Sequence, residues 1–304
     1  MLLNRLARWL RRAGGRVGLP GLLSAAQDPD GTETTEAARM ASRDLTALRA
    51  DVRPLVERLI RGLDPGLPDT ERYQIAEALS GAVYPKYKFS EHGRIFLEDH
   101  EFVSAYERFM DTGNWHSLDR KYTLAQLLKL TLDLPGDVAE CGVYKGGSAW
   151  LMCEAVRAHG KVVHLFDSFE GLSEPGEADG AYWSRGGLRV EESVVRENLK
   201  EFDNVAFHRG WFPEPFAEVA GKRFAFVHVD VDLFEPTRDC LSFFYPRVVT
   251  GGVLLFDDYG FTTCPGARAA VDSFFADKPE PIVMLPTGQA FVIKRDPALK
   301  SPLP

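Results

Sequence analysis

From Asp137 onward the chain keeps one rhythm: short runs of β-branched and aromatic apolar residues, each closed by glycine or aspartate, alternate with segments of helical periodicity. Strands are predicted at 138–141, 162–166, 205–208, 224–230 and 252–256, and helices at 148–159, 190–201, 237–245 and 267–275. Continuous apolar runs mark strands buried on both faces, and strand–helix–strand order demands crossover connections. The fold class is therefore α/β, with a doubly wound, mainly parallel sheet. The end of the chain breaks the rhythm. Segments 282–285 and 290–294, joined by Pro286-Thr287-Gly288-Gln289, read as an antiparallel hairpin that closes the sheet.

The fourth and fifth predicted strands each end in a pair of acids, Asp230 with Asp232 and Asp257 with Asp258. In open α/β sheets ligands bind outside the carboxyl ends of the strands, so neighbouring strands would bring four carboxylates to one crevice. Two unit charges about 4 Å apart interact by roughly 4 kcal/mol at an effective dielectric near 20, so such a cluster must take up protons or hold a cation. With no paired His or Cys nearby, a hard, oxygen-seeking ion such as Mg2+ fits. The plainer alternative is that Asp232 caps the helix opening at Glu235-Pro236 and that Asp257-Asp258 is a turn.

The first strand runs into Glu140-Cys141-Gly142-Val143-Tyr144-Lys145-Gly146-Gly147-Ser148, a glycine-rich turn before a helix. Glycine lets a ligand approach the backbone, and a helix start offers free N–H groups. A dinucleotide fingerprint wants glycine where Glu140 stands. A carboxylate there repels a pyrophosphate but suits an ammonium or sulfonium, which points to S-adenosylmethionine rather than NAD. The second strand ends in Asp167-Ser168, where an acid can accept from ribose hydroxyls.

Charge and hydropathy exclude other classes. A formal net charge of −8 argues against a general nucleic-acid binder, and no run of 18 apolar residues spans a membrane. The four cysteines (Cys141, Cys153, Cys240, Cys264) lack paired spacing and are taken as reduced, which places the chain in the cytoplasm. Residues 1–16 differ: Arg5, Arg8, Arg11, Arg12 and Arg16 face Leu2, Leu6, Trp9 and Leu10 at helical spacing, so they fit either peripheral membrane-surface contact or a partner-packed leader. Residues 20–34 read as a linker, and helical patterns follow at 36–63, 70–79, 96–110 and 117–132. The domain boundaries drawn from this are a leader and linker at 1–34, a helical N-terminal or lid region at 35–116 and the α/β domain at 117–304.

The stretches GDVAECGVYKGGSAWLM, HLFDSFEGL, HRGWFPEP, HVDVDLFEPTRDCLSFFYPRVVTGGVLLFDDYG and PGARAAVDSFF together resemble the macrocin O-methyltransferase family over about residues 117–295. That resemblance implies the seven-stranded Rossmann-like methyltransferase sheet and a magnesium-dependent transfer of the S-adenosylmethionine methyl group to a sugar or glycan hydroxyl. Carried over position by position, it makes Asp230, Asp257 and Asp258 the metal ligands and Asp232 the general base. Glu140 and Gly142, with Gly146 and Ser148 of the same turn, would hold the methionine part of the cofactor. Asp167 and Ser168 would hold the ribose, and Gly210 and Trp211 the adenine region. The aromatic loop around Tyr84–Tyr87 stands where relatives keep a lid, and a homo-oligomer is expected. His228 shares strand parity with Asp230 and Asp232, and we read it as a satisfied buried histidine rather than a base. Phe243, Phe244, Tyr245, Phe274 and Phe275 read as core, and Arg185 and Arg189 as solvated. A Rossmann-type enzyme using NAD or a nucleotide sugar, and a non-catalytic scaffold, are the competing classes.

Overall fold

A computed structural model of the chain describes residues 53–83, 95–110 and 117–296, in two units that meet in sequence between Leu97 and Glu98. The basic leader 1–16, the linker 20–34 and the Tyr84–Tyr87 loop lie outside the described residues. In the first unit α1 (Arg53–Gly62) packs against α2 (Asp69–Val83). Their approach is close: an added Cβ at Gly62 would stand 3.0 Å from Ile75 Cγ2.

The second unit opens with α3 (His100–Phe109). Asp99 caps it by accepting from the Phe102 N–H at 3.0 Å, and Phe102, Ala105, Tyr106 and Phe109 form its buried stripe. That stripe packs against α5 (Gly147–Val156), so α3 belongs with the sheet, although the boundary drawn from sequence at 117 set it apart. Next come α4 (Leu118–Lys129), β1 (Asp137–Cys141), β2 (Val163–Asp167), α6 (Glu192–Asn198), β3 (Val205–Arg209), β4 (Phe224–Val229), α7 (Phe234–Phe244), β5 (Val248–Phe256), α8 (Pro265–Phe275), β6 (Val283–Met284) and β7 (Ala290–Ile293).

The sheet runs β3-β2-β1-β4-β5-β7-β6, with β1 to β5 parallel and β7 antiparallel to β5 and β6. This is the expected doubly wound sheet with its closing hairpin. Strand alternation splits the core between the two faces. Phe166, Val227, Leu254 and Phe256 face α7 and α8, while Val138, Leu165, Phe226 and Leu255 face α4, α5 and α6. After β3 the chain returns to place β4 beside β1, so the topology switches direction there and a crevice opens at the carboxyl ends of the two strands.

Two elements start three or four residues earlier than predicted. β5 begins at Val248 rather than 252 because Val248 pairs with Phe224 ahead of an irregularity in register. A Cβ at Gly252 would stand 2.8 Å from the Ala225 carbonyl oxygen, so the glycine allows the strand to continue. α7 begins at Phe234 rather than 237, because the Phe234 N–H has a distant acceptor, Asp179 Oδ1, at 2.7 Å.

Candidate active site

The ladder continues one step past each strand end. The Asp230 N–H donates to the Cys141 carbonyl and the Asp257 N–H to the Val229 carbonyl, both at 2.9 Å, so these acids leave the sheet at a common rim. Gly142 faces the same rim with φ +83°, and an added Cβ would stand 1.8 Å from the Asp230 carbonyl oxygen. Its glycine is required by this close approach of two strand ends. Gly146, at φ +88°, occupies the N-cap of α5.

A cavity of about 680 Å³ opens over this rim. Of the residues singled out from sequence, Gly142, Ser148, Asp167, Ser168, Gly210, Trp211, Asp230, Asp232 and Asp258 line it, whereas Glu140, Gly146 and Asp257 stand behind its wall. Asp167 is pinned by backbone: Oδ2 accepts from the Val143 N–H and Oδ1 from the Phe169 N–H, each at 2.7 Å. It thereby ties the β1–α5 turn to the end of β2.

Behind the wall His228 joins the two acidic regions. Its Nδ1 lies 3.0 Å from Glu140 Oε1 and its Nε2 3.2 Å from Asp257 Oδ1, with the ring fully buried. Glu140 and His228 are register partners in the β1–β4 pair, which makes the first contact a direct consequence of sheet geometry. Burial opposes a charge on His228, but the hydrogen bonds to Asp257 and Glu140 outweigh it and hold the imidazole at about 9. At neutral pH both ring nitrogens carry protons and both donate. The histidine is thus hydrogen-bonded to carboxylates on either side, as expected of a satisfied buried histidine. Glu140 Oε2 is buried with no hydrogen-bond partner among the described residues.

Asp257 is saturated. Arg120 Nη1 bonds Oδ2, and Gln289 Nε2 donates to Oδ1 at 2.6 Å beside His228. Burial opposes its charge, yet the Arg120 guanidinium holds this carboxyl well below the usual range. The other three acids move the opposite way. Burial and then Asp257 raise Asp230, burial and then Asp230 bring Asp232 up to about 7, and burial and then Asp232 push Asp258 well above the carboxylate range. Lys121 Nζ lies 3.8 Å from Asp230 Oδ2 and bonds Ser148 Oγ. Three mutually repelling carboxyls at a cavity wall, beside one that is already compensated, suit a hard cation. Ligand atoms of His228, Asp230 and Asp257 lie within 4.8 Å of one another, as do those of Asp232, Asp258 and Cys264.

Asp232 has φ +60°, and the Leu233 N–H reaches back to the Val231 carbonyl at 2.6 Å, which makes a tight three-residue turn with a positive φ at its centre. Such backbone is costly for a residue other than glycine and is held here by the Asp258 Oδ2 acceptor, 2.9 Å from the Asp232 N–H. Asp232 does not cap α7; Asp179 does, from the loop after β2. The same Asp179 accepts from the Gly176 N–H at 2.7 Å and fills the space where a Cβ on Gly266 would sit.

Sequence reading missed Arg120, Lys121, Gln289, Asp179, Trp183 and Cys264. A basic pair opening the helix that leads into an acidic sheet was a usable signal for Arg120 and Lys121. Gln289 lay in a segment read only as a turn, and nothing local distinguished Cys264.

The profile of the macrocin-O-methyltransferase (TylF) family matches residues 122–285. A demethyldecarbamoylnovobiocin O-methyltransferase from Streptomyces niveus is 36% identical over 159 residues, which cover 47% of this chain and 60% of that protein. An 8-demethyl-8-(2,3-dimethoxy-alpha-L-rhamnosyl)-tetracenomycin-C 4'-O-methyltransferase from Streptomyces olivaceus is 36% identical over 148 residues, 44% of this chain and 57% of its own length. The chain therefore spans about 60% of the length of these relatives. Among solved structures, that of the O-methyltransferase NovP superposes with a TM-score of 0.52 at 29% identity, covering 59% of this chain and 81% of that one.

Proposed function

This chain belongs to the macrocin O-methyltransferase family, and from that premise we propose that it transfers the methyl group of S-adenosylmethionine to a hydroxyl of a sugar, in a natural product or a surface glycan, with the help of Mg2+. The observation that carries this reading is the meeting, around one cavity, of three carboxylates that follow β4 and β5, with Asp257 behind them, and of the glycine turn after β1 and the acid that ends β2.

When bound, S-adenosylmethionine supplies an electrophilic methyl group and magnesium supplies a Lewis acid that makes an acceptor hydroxyl more acidic. Gly142, Gly146 and Ser148 are assigned the methionine end of the cofactor. Glu140 joins them because its unpartnered, buried Oε2 fits an ammonium group. Asp167 and Ser168 are assigned the ribose, and Gly210 and Trp211 the adenine. Asp230, Asp257 and Asp258 are assigned the metal, and Arg120 bonds Asp257 Oδ2 at that place. Asp232 takes the hydroxyl proton at Oδ2, its Oδ1 being occupied by the Cys264 thiol. Trp183 and Phe261 wall the cavity and exclude water.

No helix among the described residues is long and apolar enough to cross a membrane. All four cysteines are free and buried, which supports a reducing, cytoplasmic compartment. Self-association and a membrane-surface contact through residues 1–16 complete the reading.

The test is incubation with methyl-labelled S-adenosylmethionine and a panel of sugar glycosides, read by mass spectrometry. One labelled methyl on a sugar oxygen is expected, lost in excess chelator and restored by magnesium. Undiminished turnover in chelator would remove the metal from the scheme. Asp232→Asn should keep metal and cofactor binding while turnover falls roughly 10²–10⁴-fold. Asp230→Asn should lose metal affinity along with turnover, and a fully active Asp232→Asn enzyme would show that the base is assigned wrongly.

A further inference from the structure

The connection between β2 and α6, residues 168–191, is fastened to the acidic rim at two points. One is Asp179, which caps α7. The other is Trp183, whose Nε1–H donates to Cys264 Sγ at 3.3 Å. Cys264 in turn donates its thiol proton to Asp232 Oδ1, also at 3.3 Å. Trp183, Cys264 and Asp232 all line the same cavity, and Cys264 is only 2% exposed, at the N-cap of α8. Among the described residues this thiol is the only hydrogen-bond donor to the Asp232 carboxylate.

A thiol carries one proton and is both a weak donor and a weak acceptor. Its rotor is free unless something fixes it. An indole N–H directed at the sulfur occupies a lone pair and leaves the S–H turned away, toward Asp232, and each bond polarises the next. A weak donor suits a carboxylate that must stay basic, because it sets the rotamer without competing strongly for the lone pairs.

We infer that Cys264 is a positioning residue for Asp232. Its thiol, oriented by the Trp183 indole, fixes the carboxylate so that Oδ2 faces the acceptor hydroxyl, and the Trp183 wall of the cavity is thereby linked to the readiness of the base. This rests on the reading of Asp232 as general base.

Three variants test it, Cys264→Ala, Cys264→Ser and Trp183→Phe, with kcat, KM for cofactor, metal affinity and thermal stability measured for each. Cys264→Ala should lower kcat about three- to tenfold, the effect of one weak hydrogen bond, with KM and metal affinity unchanged, and Cys264→Ser should restore most of it. Trp183→Phe keeps an aromatic side chain and drops the donor, so it should lower kcat in the same sense. Because the two residues act in series, the Cys264→Ala, Trp183→Phe double variant should be no slower than Cys264→Ala alone. A readout independent of turnover is the S–H infrared band of Cys264, isolated as the difference between wild type and Cys264→Ala. It should lie below the free-thiol position and rise in Asp232→Ala. Wild-type kcat in Cys264→Ala, or equal losses in the Ala and Ser variants together with lower melting temperatures, overturns the inference alone. A wild-type chain that moves no labelled methyl overturns the base reading, and this inference with it.

Discussion

At Gly142 the backbone adopts φ +83°, and an added Cβ would stand 1.8 Å from the Asp230 carbonyl oxygen. A left-handed conformation costs an L-residue about 1–2 kcal/mol, and here the obstacle is backbone that cannot rotate aside. Gly142→Ala should therefore destabilise the fold by at least about 2 kcal/mol in urea titration. The variant should also push the end of β4 outward and move Asp230 with it. Unchanged stability would mean that the β1–α5 turn does not press on β4. Asp257 shows a second principle of single residues. Identity alone would place it among its three acidic neighbours, yet Arg120, His228 and Gln289 leave it the one acid of the four whose charge is fully compensated.

At the scale of elements, the far edge of the sheet carries a polar line through otherwise apolar packing. His164 of β2 lies 2.9 Å from His208 of β3, nitrogen to nitrogen, while Asp137 and Glu218 bracket the pair at 3.3 and 2.7 Å. Lys222 Nζ adds a charge 2.9 Å from Asp137. One proton fits between two ring nitrogens and a second does not. Burial lowers His164 below its ordinary 6.5, with the His208 and Lys222 charges acting the same way and Asp137 opposing. The unfolded chain therefore binds the proton more readily than the folded one. The stability held in the uncharged His164 is present above pH 6.5 and is lost as pH falls below it. The melting temperature should drop as pH is lowered below 6.5, and His164→Gln should show a smaller drop. An equal drop in both proteins would rule out the pair as the source.

For the whole molecule the consequence of the switch point is a ligand site assembled from elements far apart in sequence. Ligand binding to it must then stabilise the folded chain as a whole. S-adenosylmethionine at about 100 times its Kd should add about 2.7 kcal/mol to unfolding, seen as a rise in melting temperature. NADH at equal concentration should add nothing. A shift with NADH and none with S-adenosylmethionine would return the sheet to the dinucleotide class that Glu140 argued against.

Local pattern in the sequence was enough for the strands and helices from 137 onward, for their parallel order with a closing hairpin, and for the acids at the ends of β1, β2, β4 and β5. Periodicity and turn chemistry act between near neighbours and leave a readable trace. The side of the sheet on which His228 lies followed from parity as well. Its partners did not, because Glu140 and Asp257 meet it only through strand register. Arg120 reaches Asp257 across 137 positions of sequence, and Gln289 reaches the same carboxylate across 32. Neither contact has a local signature; each depends on how a helix and a hairpin pack against the finished sheet. The early start of α7 and the thiol beneath Asp232 belong to the same class. A loop from β2 folds back over the rim, and tertiary packing alone brings Asp179 to the start of α7, Trp183 to Cys264, and the Cys264 thiol to Asp232.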